Sequence, residues 1–228
     1  MSSINQRLNF FLWAYLRINP DDLLKLDDSI VVKRIILKCA DKAYQDLKRS
    51  IKYSKSVSEI NELKTKERKK YCLLKREFYR EVTEVIVSNI IKEEGLLSLK
   101  DICPRKIIRT VYQVKNNMKY CLLFKDEKKF TVGIAQKWVN MTLKYLWLIG
   151  IFDDKYEKNL EVPIDKYILN EIKKLNISIP KNPWSKWDDI EEYSKLQDTL
   201  YETLYLNGYT RISWENKQWI KAANEKIY

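Results

Sequence analysis

Apolar residues recur along most of this chain at spacings of three and four, the repeat of α-helices that each bury one face. Only 4 glycines and 5 prolines interrupt the pattern in 228 residues, few for the tight turns of a β-rich protein. The chain is therefore expected to be all-α, with about eight to ten helices.

Leu8, Phe11, Leu12, Tyr15 and Leu16 make a first apolar face, stopped by Pro20. Ser29 is the expected cap of a helix through Val32, Ile35, Ile36 and Cys39 to about Arg49. Residues 50–70 are polar and read as a solvated connection or a weak helix. Tyr71 to Glu93 is the longest periodic segment, and Gly95 is expected to close it. Pro104 opens a basic helix to about Met118, and a charged turn at 125–129 leads to a helix over Phe130–Leu148. After a loop near 150–162, a helix is expected from Pro163 to about Leu175. Pro180 and Pro183 break the chain again before helices over Trp187–Tyr205 and Trp214–Ile227. The acidic group Asp188–Glu192 reads as the charge cluster of a helix N-terminus.

Histidine is absent, which removes Ser-His-Asp and Cys-His mechanisms and histidine metal sites. Catalysis would rest on Lys, Asp, Glu, Tyr or Cys. Cys39, Cys72, Cys103 and Cys121 lie far apart without metal-ligand spacing, so neither a metal nor another cofactor is expected. Their apolar neighbours predict buried free thiols, which suit a reducing cytosol. No stretch reaches the ~18 apolar residues of a membrane span, and no cleavable leader is evident. A soluble, cytoplasmic protein without a membrane partner is expected. The formal net charge of +12 points to a polyanionic partner.

One pair of residues carries chemistry. Lys137 stands near the start of the Phe130–Leu148 helix, and Asp165 near the start of the one after it. A neutral lysine amine can attack the anomeric carbon of deoxyribose and form an imine that permits β-elimination. Burial or the positive end of a helix favours the neutral amine, and a nearby carboxylate can stabilise charge on the sugar or take a proton. Geometry allows the two to meet. From Lys137 to Ile149 is about 18 Å of helix at ~1.5 Å per residue, and the loop beyond spans up to twice that at ~3.3 Å per residue.

The run VGIAQKWVNMTLKYL followed by VPIDKYIL resembles the catalytic segment of helix-hairpin-helix DNA glycosylases, most of all the archaeal 8-oxoguanine branch. There a turn rich in small residues precedes the lysine, and Pro-x-Asp follows a variable loop. The resemblance covers about forty residues, 130–169. It implies that Lys137 is the Schiff-base nucleophile and Asp165 its catalytic partner. It also implies a two-lobed helical fold that flips a damaged nucleotide into an interlobe cleft. The whole of 1–228 would be one such unit. One lobe would span about 30–125, and the catalytic lobe about 126–228 with the N-terminal helix. The chain departs from the family in its degenerate hairpin: the Leu-Pro-Gly-x-Gly run is missing and only Gly133 remains of it. Backbone amides of that hairpin normally hold a phosphate, so anchoring would pass to Lys128, Lys129 and Thr131 beside Gly133.

Other residues fit the same reading. Gln136 and Asn140 flank the lysine and offer the paired donor and acceptor that read base edges. Trp138, Trp184 and Trp187 are candidates for stacking on a flipped base. Arg105, Lys106 and Arg109 are candidate phosphate contacts. The leading expectation is a monomeric DNA glycosylase and abasic-site lyase acting on double-stranded DNA with an oxidised or modified base, 8-oxoguanine by default. The alternatives are a non-catalytic nucleic-acid-binding protein on the same fold, a phage-defence glycosylase for a hypermodified base, and a helical interaction module.

Overall fold

The computed structural model describes residues 9–92, 95–96, 102–124, 130–152 and 154–224. Among these the architecture is helical, apart from one two-residue ladder. The main helices are α1 (Ser29–Leu47), α2 (Val57–Glu62), α3 (Thr65–Ser88), α4 (Pro104–Gln113), α5 (Val132–Leu148), α6 (Lys166–Lys174), α7 (Ile190–Tyr205) and α8 (Arg211–Asn224). A short π-helical turn, Leu12–Leu16, precedes them.

Several ends differ from expectation for local reasons. Asp28, not Ser29, caps α1, because its carboxylate accepts from the amides of Ile30 and Val31. Residues 50–70 contain α2, held by a reciprocal capping box between Ser56 and Glu59, and the first turn of α3. α3 ends at Ser88, where the side chain of Asn89 donates to the carbonyl of Val85 at 2.8 Å. Gly95 lies instead in an antiparallel pair between β1 (Ile91–Lys92) and β2 (Gly95–Leu96). α4 stops at Gln113 and gives way to two 3-10 turns, Val114–Asn116 and Met118–Tyr120. α8 begins three residues before Trp214. The charged turn at 125–129, the N-terminal Leu8 and the last residues of the expected C-terminal helix lie outside the described residues.

α5 is the central helix. Of its seventeen residues, thirteen are buried, so it is enclosed on nearly every side. It packs chiefly against α1 and α4. Ala40 and Ala43 of α1 are fully buried, and Trp138 of α5 donates its indole N–H to the carbonyl of Ala40 at 3.0 Å. The Trp138 ring lies 4.9 Å from that of Tyr44 and 6.0 Å from that of Tyr79. Phe78 meets Tyr120, Phe124 and Phe130 edge-on, which links α3 to the segment entering α5. The buried apolar residues form one contiguous core from Leu12 to Trp214.

α5 ends in a reversal. The amide of Gly150 bonds the carbonyl of Trp147 and that of Ile151 bonds Leu146, with Gly150 at φ +74, a glycine-closed helix terminus. The chain then doubles back beside α5, and this return positions the candidate site.

Of the four cysteines, all unpaired, Cys39 is buried as expected, whereas Cys72, Cys103 and Cys121 are exposed. Apolar neighbours did not mark burial, since Leu73 beside Cys72 and Leu122 beside Cys121 are exposed as well, which corrects the expectation of buried thiols at these three positions. No described helix is long and apolar enough to cross a membrane.

Candidate active site

The structure brings Lys137 and Asp165 together. The Lys137 Nζ donates to Asp165 Oδ2 at 2.9 Å, and both side chains retain a little solvent access, 14% and 12%. Lys137 occupies the second turn of α5. Asp165 is the N-cap of α6, its Oδ1 accepting from the amides of Tyr167 and Ile168 at 2.9 and 3.1 Å. One carboxylate oxygen thus holds the helix while the other holds the amine. The expected helix start at Pro163 is corrected: α6 begins at Lys166, 160–165 is non-helical, and Asp165 itself is extended.

Side chains from two helices hold that segment in place. The Gln136 amide pairs with the Ile164 peptide, accepting from its N–H at 3.1 Å and donating to its C=O at 2.8 Å. Gln197 of α7 treats Val162 the same way, at 3.2 and 2.8 Å. Asn140 adds a bond to the Val162 carbonyl at 3.2 Å and another to the Tyr193 hydroxyl at 2.7 Å. The Tyr193 hydroxyl in turn donates to Glu161 at 2.7 Å. Each glutamine acts as a one-residue strand partner for chain that would otherwise bury unpaired peptide groups.

These bonds correct part of the sequence reading. Gln136 and Asn140 are fully buried and spend their amide groups on the protein's own backbone, so they hold the site instead of reading a base. Trp138 is core. Trp187 is also buried, its indole N–H donating to the carbonyl of Asn182 at 2.7 Å. Trp184 is different: it is only half-buried, and its ring lies 5.0 Å from Lys137 Nζ. Two residues beyond Asp165, Tyr167 on α6 is exposed, and its ring lies 6.2 Å from the exposed Trp219 ring of α8. Trp184 is therefore the partly accessible aromatic ring shown beside the pair.

Thr131 is buried as the N-cap of α5, accepting from Ile134 and donating to the Ser185 carbonyl. The Gly133 amide bonds the Trp187 carbonyl at 3.0 Å. A Cβ on Gly133 would stand 1.8 Å from the Trp184 carbonyl oxygen, so glycine is required for the 184–187 turn to close on α5. Both residues face protein where phosphate contact had been expected. Lys128 and Lys129 lie outside the described residues. Arg105 is held by Glu161 at 2.6 Å and Asp198 at 2.5 Å, and Arg109 by Glu191 at 2.5 Å. Glu191 at the acidic start of α7, capped by Asp189, thus neutralises Arg109, Glu161 and Asp198 neutralise Arg105, and Lys106 is exposed.

A second ion pair lies behind the first. Lys144, two turns after Lys137 on α5, bonds Glu215 of α8 at 2.5 Å, and both are buried. Burial raises the Glu215 carboxyl above its ordinary value; Asp165 adds to the rise, and Lys144 and Lys137 oppose it. The four groups therefore share one field. Glu215 had no signal in the sequence, although the Lys137–Lys144 spacing places both lysines on one side of a largely apolar helix. Among the described residues no Cys, Asp and Glu group is arranged to hold a metal ion.

Compared with known proteins, the chain matches no family model, no curated protein and no solved structure.

Proposed function

We propose that this protein is a DNA glycosylase and abasic-site lyase that excises an oxidised or otherwise modified base through a Schiff base at Lys137. The observation that carries the reading is the 2.9 Å contact between Lys137 Nζ and Asp165 Oδ2, a pair that keeps slight solvent access beside Trp184. An amine and a carboxylate held at this distance, each anchored on the end of a helix, are the groups that imine chemistry at a sugar carbon needs.

In this mechanism the Lys137 nitrogen bonds to C1′ as the C1′–N bond to the base breaks, and the base leaves with the electron pair and a proton. Opening of the sugar gives the imine. Loss of a C2′ proton expels the 3′ phosphate, and water then releases the lysine. Asp165 accepts the proton that frees the amine and stabilises positive charge on the sugar. Trp184, beside Lys137, supplies an apolar wall for a nucleotide drawn out of the duplex. The reading includes a two-lobed arrangement with the cleft at this pair, and a monomer acting on double-stranded DNA in the cytosol. The base is 8-oxoguanine by default, and a hypermodified phage base is the alternative.

A second reading draws on the capping bonds of Asp165, which give that residue a structural role without any chemistry. On that reading the ion pair is part of a non-catalytic nucleic-acid-binding protein. Borohydride reduction separates the two. With a duplex carrying an abasic or 8-oxoguanine site, the wild-type protein is expected to be trapped covalently and Lys137→Gln is not. Absence of any wild-type adduct across a panel of modified-base and abasic duplexes, or an undiminished adduct in Lys137→Gln, would overturn the proposal.

A further inference from the structure

The positive charge of this chain is concentrated away from the Lys137 site. Residues 48–80 carry twelve basic and four acidic side chains, a net of +8 out of the +12 for the whole chain. On α3, Lys66, Lys69, Lys70, Arg76 and Arg80 recur at helical spacing along one side, turned away from the buried Tyr71, Phe78 and Val82. All five are exposed. The exposed Glu67 and the half-buried Glu77 are the carboxylates interleaved with them.

Their lack of neutralisation contrasts with several basic residues of the 105–119 segment. Arg105, Arg109, Lys115 and Lys119 each have a carboxylate within salt-bridge distance. Among the described residues none of the five on α3 has such a partner. Lys66 with Lys70, and Arg76 with Arg80, are like charges four apart, a spacing that disfavours the helix bearing them. Propensity and folding do not require this arrangement, since neutral residues would serve the exposed face better. A polyanion laid along the face would relieve the repulsion and release its own counterions.

We infer that the outward face of α3 is a contact surface for the phosphate backbone of duplex DNA, separate from the Lys137 site. The choice of duplex DNA among polyanions rests on the proposed function of that site. The stripe from Lys66 to Arg80 is about 21 Å long at ~1.5 Å per residue, matching about six phosphate steps at ~3.4 Å along one strand. Tyr79, beside Arg80, reaches Trp138, beside Lys137, with rings 6.0 Å apart, so the stripe and the lysine are carried by helices in side-chain contact. Contacts of this kind position a duplex without reading its sequence.

The test is binding of an undamaged duplex across a salt series by the wild type and by Lys66→Gln/Lys69→Gln/Lys70→Gln. The slope of log affinity against log salt should fall by about three units in the variant, one per lost phosphate contact. Affinity at low salt should drop about 100-fold or more. The Lys→Arg triple should bind as the wild type does, and thermal unfolding should show all three folded. An unchanged slope and affinity in the Gln triple would overturn the inference. So would a wild-type protein that binds phosphatidylserine vesicles through these lysines and leaves the duplex free. Borohydride trapping reports separately on Lys137. Trapping that fails while the salt slope behaves as expected removes the enzyme and leaves the surface. Trapping that succeeds with an unchanged slope removes the surface and leaves the enzyme.

Discussion

Gln136 and Ile164 are joined by two hydrogen bonds, side-chain amide to backbone peptide, and each stands one residue before a member of the Lys137–Asp165 pair. This clasp sets the register between α5 and the returning chain. A slip of one residue would bring a different side chain opposite the lysine, because Asp165 is extended and its neighbours point elsewhere. The clasp is thus the positioning device of the candidate site, and its own side chain is inaccessible to any ligand.

Replacing Gln136 by Leu keeps the volume and removes the clasp. The Ile164 N–H and C=O are then buried without partners, at about 1–3 kcal/mol each. Chemical denaturation should record that loss, and borohydride trapping should slow by about 100-fold if the pair shifts by ~1 Å. A variant that is destabilised and yet traps at the wild-type rate would remove Gln136 from any positioning role.

Asp165 has two duties that substitution can separate. Asparagine is as good an N-cap as aspartate but leaves the largely buried Lys137 ammonium without its carboxylate, so both Asp165→Asn and Asp165→Ala should lose stability through the broken pair, and Asp165→Ala should lose about 1 kcal/mol more with the cap. Excision should fall by about 100-fold or more in both, because both lose the charge. Equal stability with unimpaired excision in Asp165→Asn would leave the carboxylate as a cap alone.

Lys144→Met leaves Glu215 buried and unpaired, at about 3–5 kcal/mol. Glu215 is already raised above its ordinary 4.5 by burial, so the folded state binds its proton more readily than the unfolded state. Its contribution to stability is full below 4.5 and is lost as pH rises through the higher folded value. Removing Lys144 raises that value further. The variant should therefore regain part of its lost stability between about pH 7.5 and pH 5, and Lys144→Met/Glu215→Leu should regain most of it at either pH. Denaturation of wild type, single and double variants at both pH values checks this; a deficit independent of pH would contradict it.

Gly133→Ala places a methyl group 1.8 Å from the Trp184 carbonyl oxygen. The 184–187 turn must move off α5, at about 1–3 kcal/mol. Trp184 should be displaced from Lys137, so a lower unfolding midpoint is expected together with slower trapping. Unaltered trapping in a measurably destabilised Gly133→Ala protein would show that the aromatic wall is dispensable.

Much of the helical layout was legible before any coordinates. The repeat of Leu74, Phe78, Val82, Val85 and Ile86 placed the body of α3, and the density of apolar residues from Val132 to Leu148 marked α5 as central. Ends were read less well. Asp28 and Ser29 are both good caps, and only backbone dihedrals decide between them; the start of α3 is a polar stretch with no apolar repeat to announce it. Lys137 and Asp165 were legible as a pair because loop length permits their meeting. The roles of Gln136, Asn140, Trp138 and Arg105 were not, since an amide, an indole or a guanidinium looks the same in sequence whether it faces a ligand or a distant segment of its own chain. Their partners lie 22 to 98 residues away.

By itself, then, the sequence determined what short-range physics controls: the helical class, the bodies of the longer helices, and a lysine in the second turn of an apolar helix. Tertiary structure alone decided which polar groups are consumed in holding the chain and which remain available. That outcome depends on burial and on partners brought from far along the chain, because a buried polar group must be satisfied by whatever the fold sets opposite it. The amides beside the lysine were taken by the returning backbone and the arginines of α4 by Glu161 and the acids of α7, while Lys66, Lys69 and Lys70 of α3 have no carboxylate partner among the described residues.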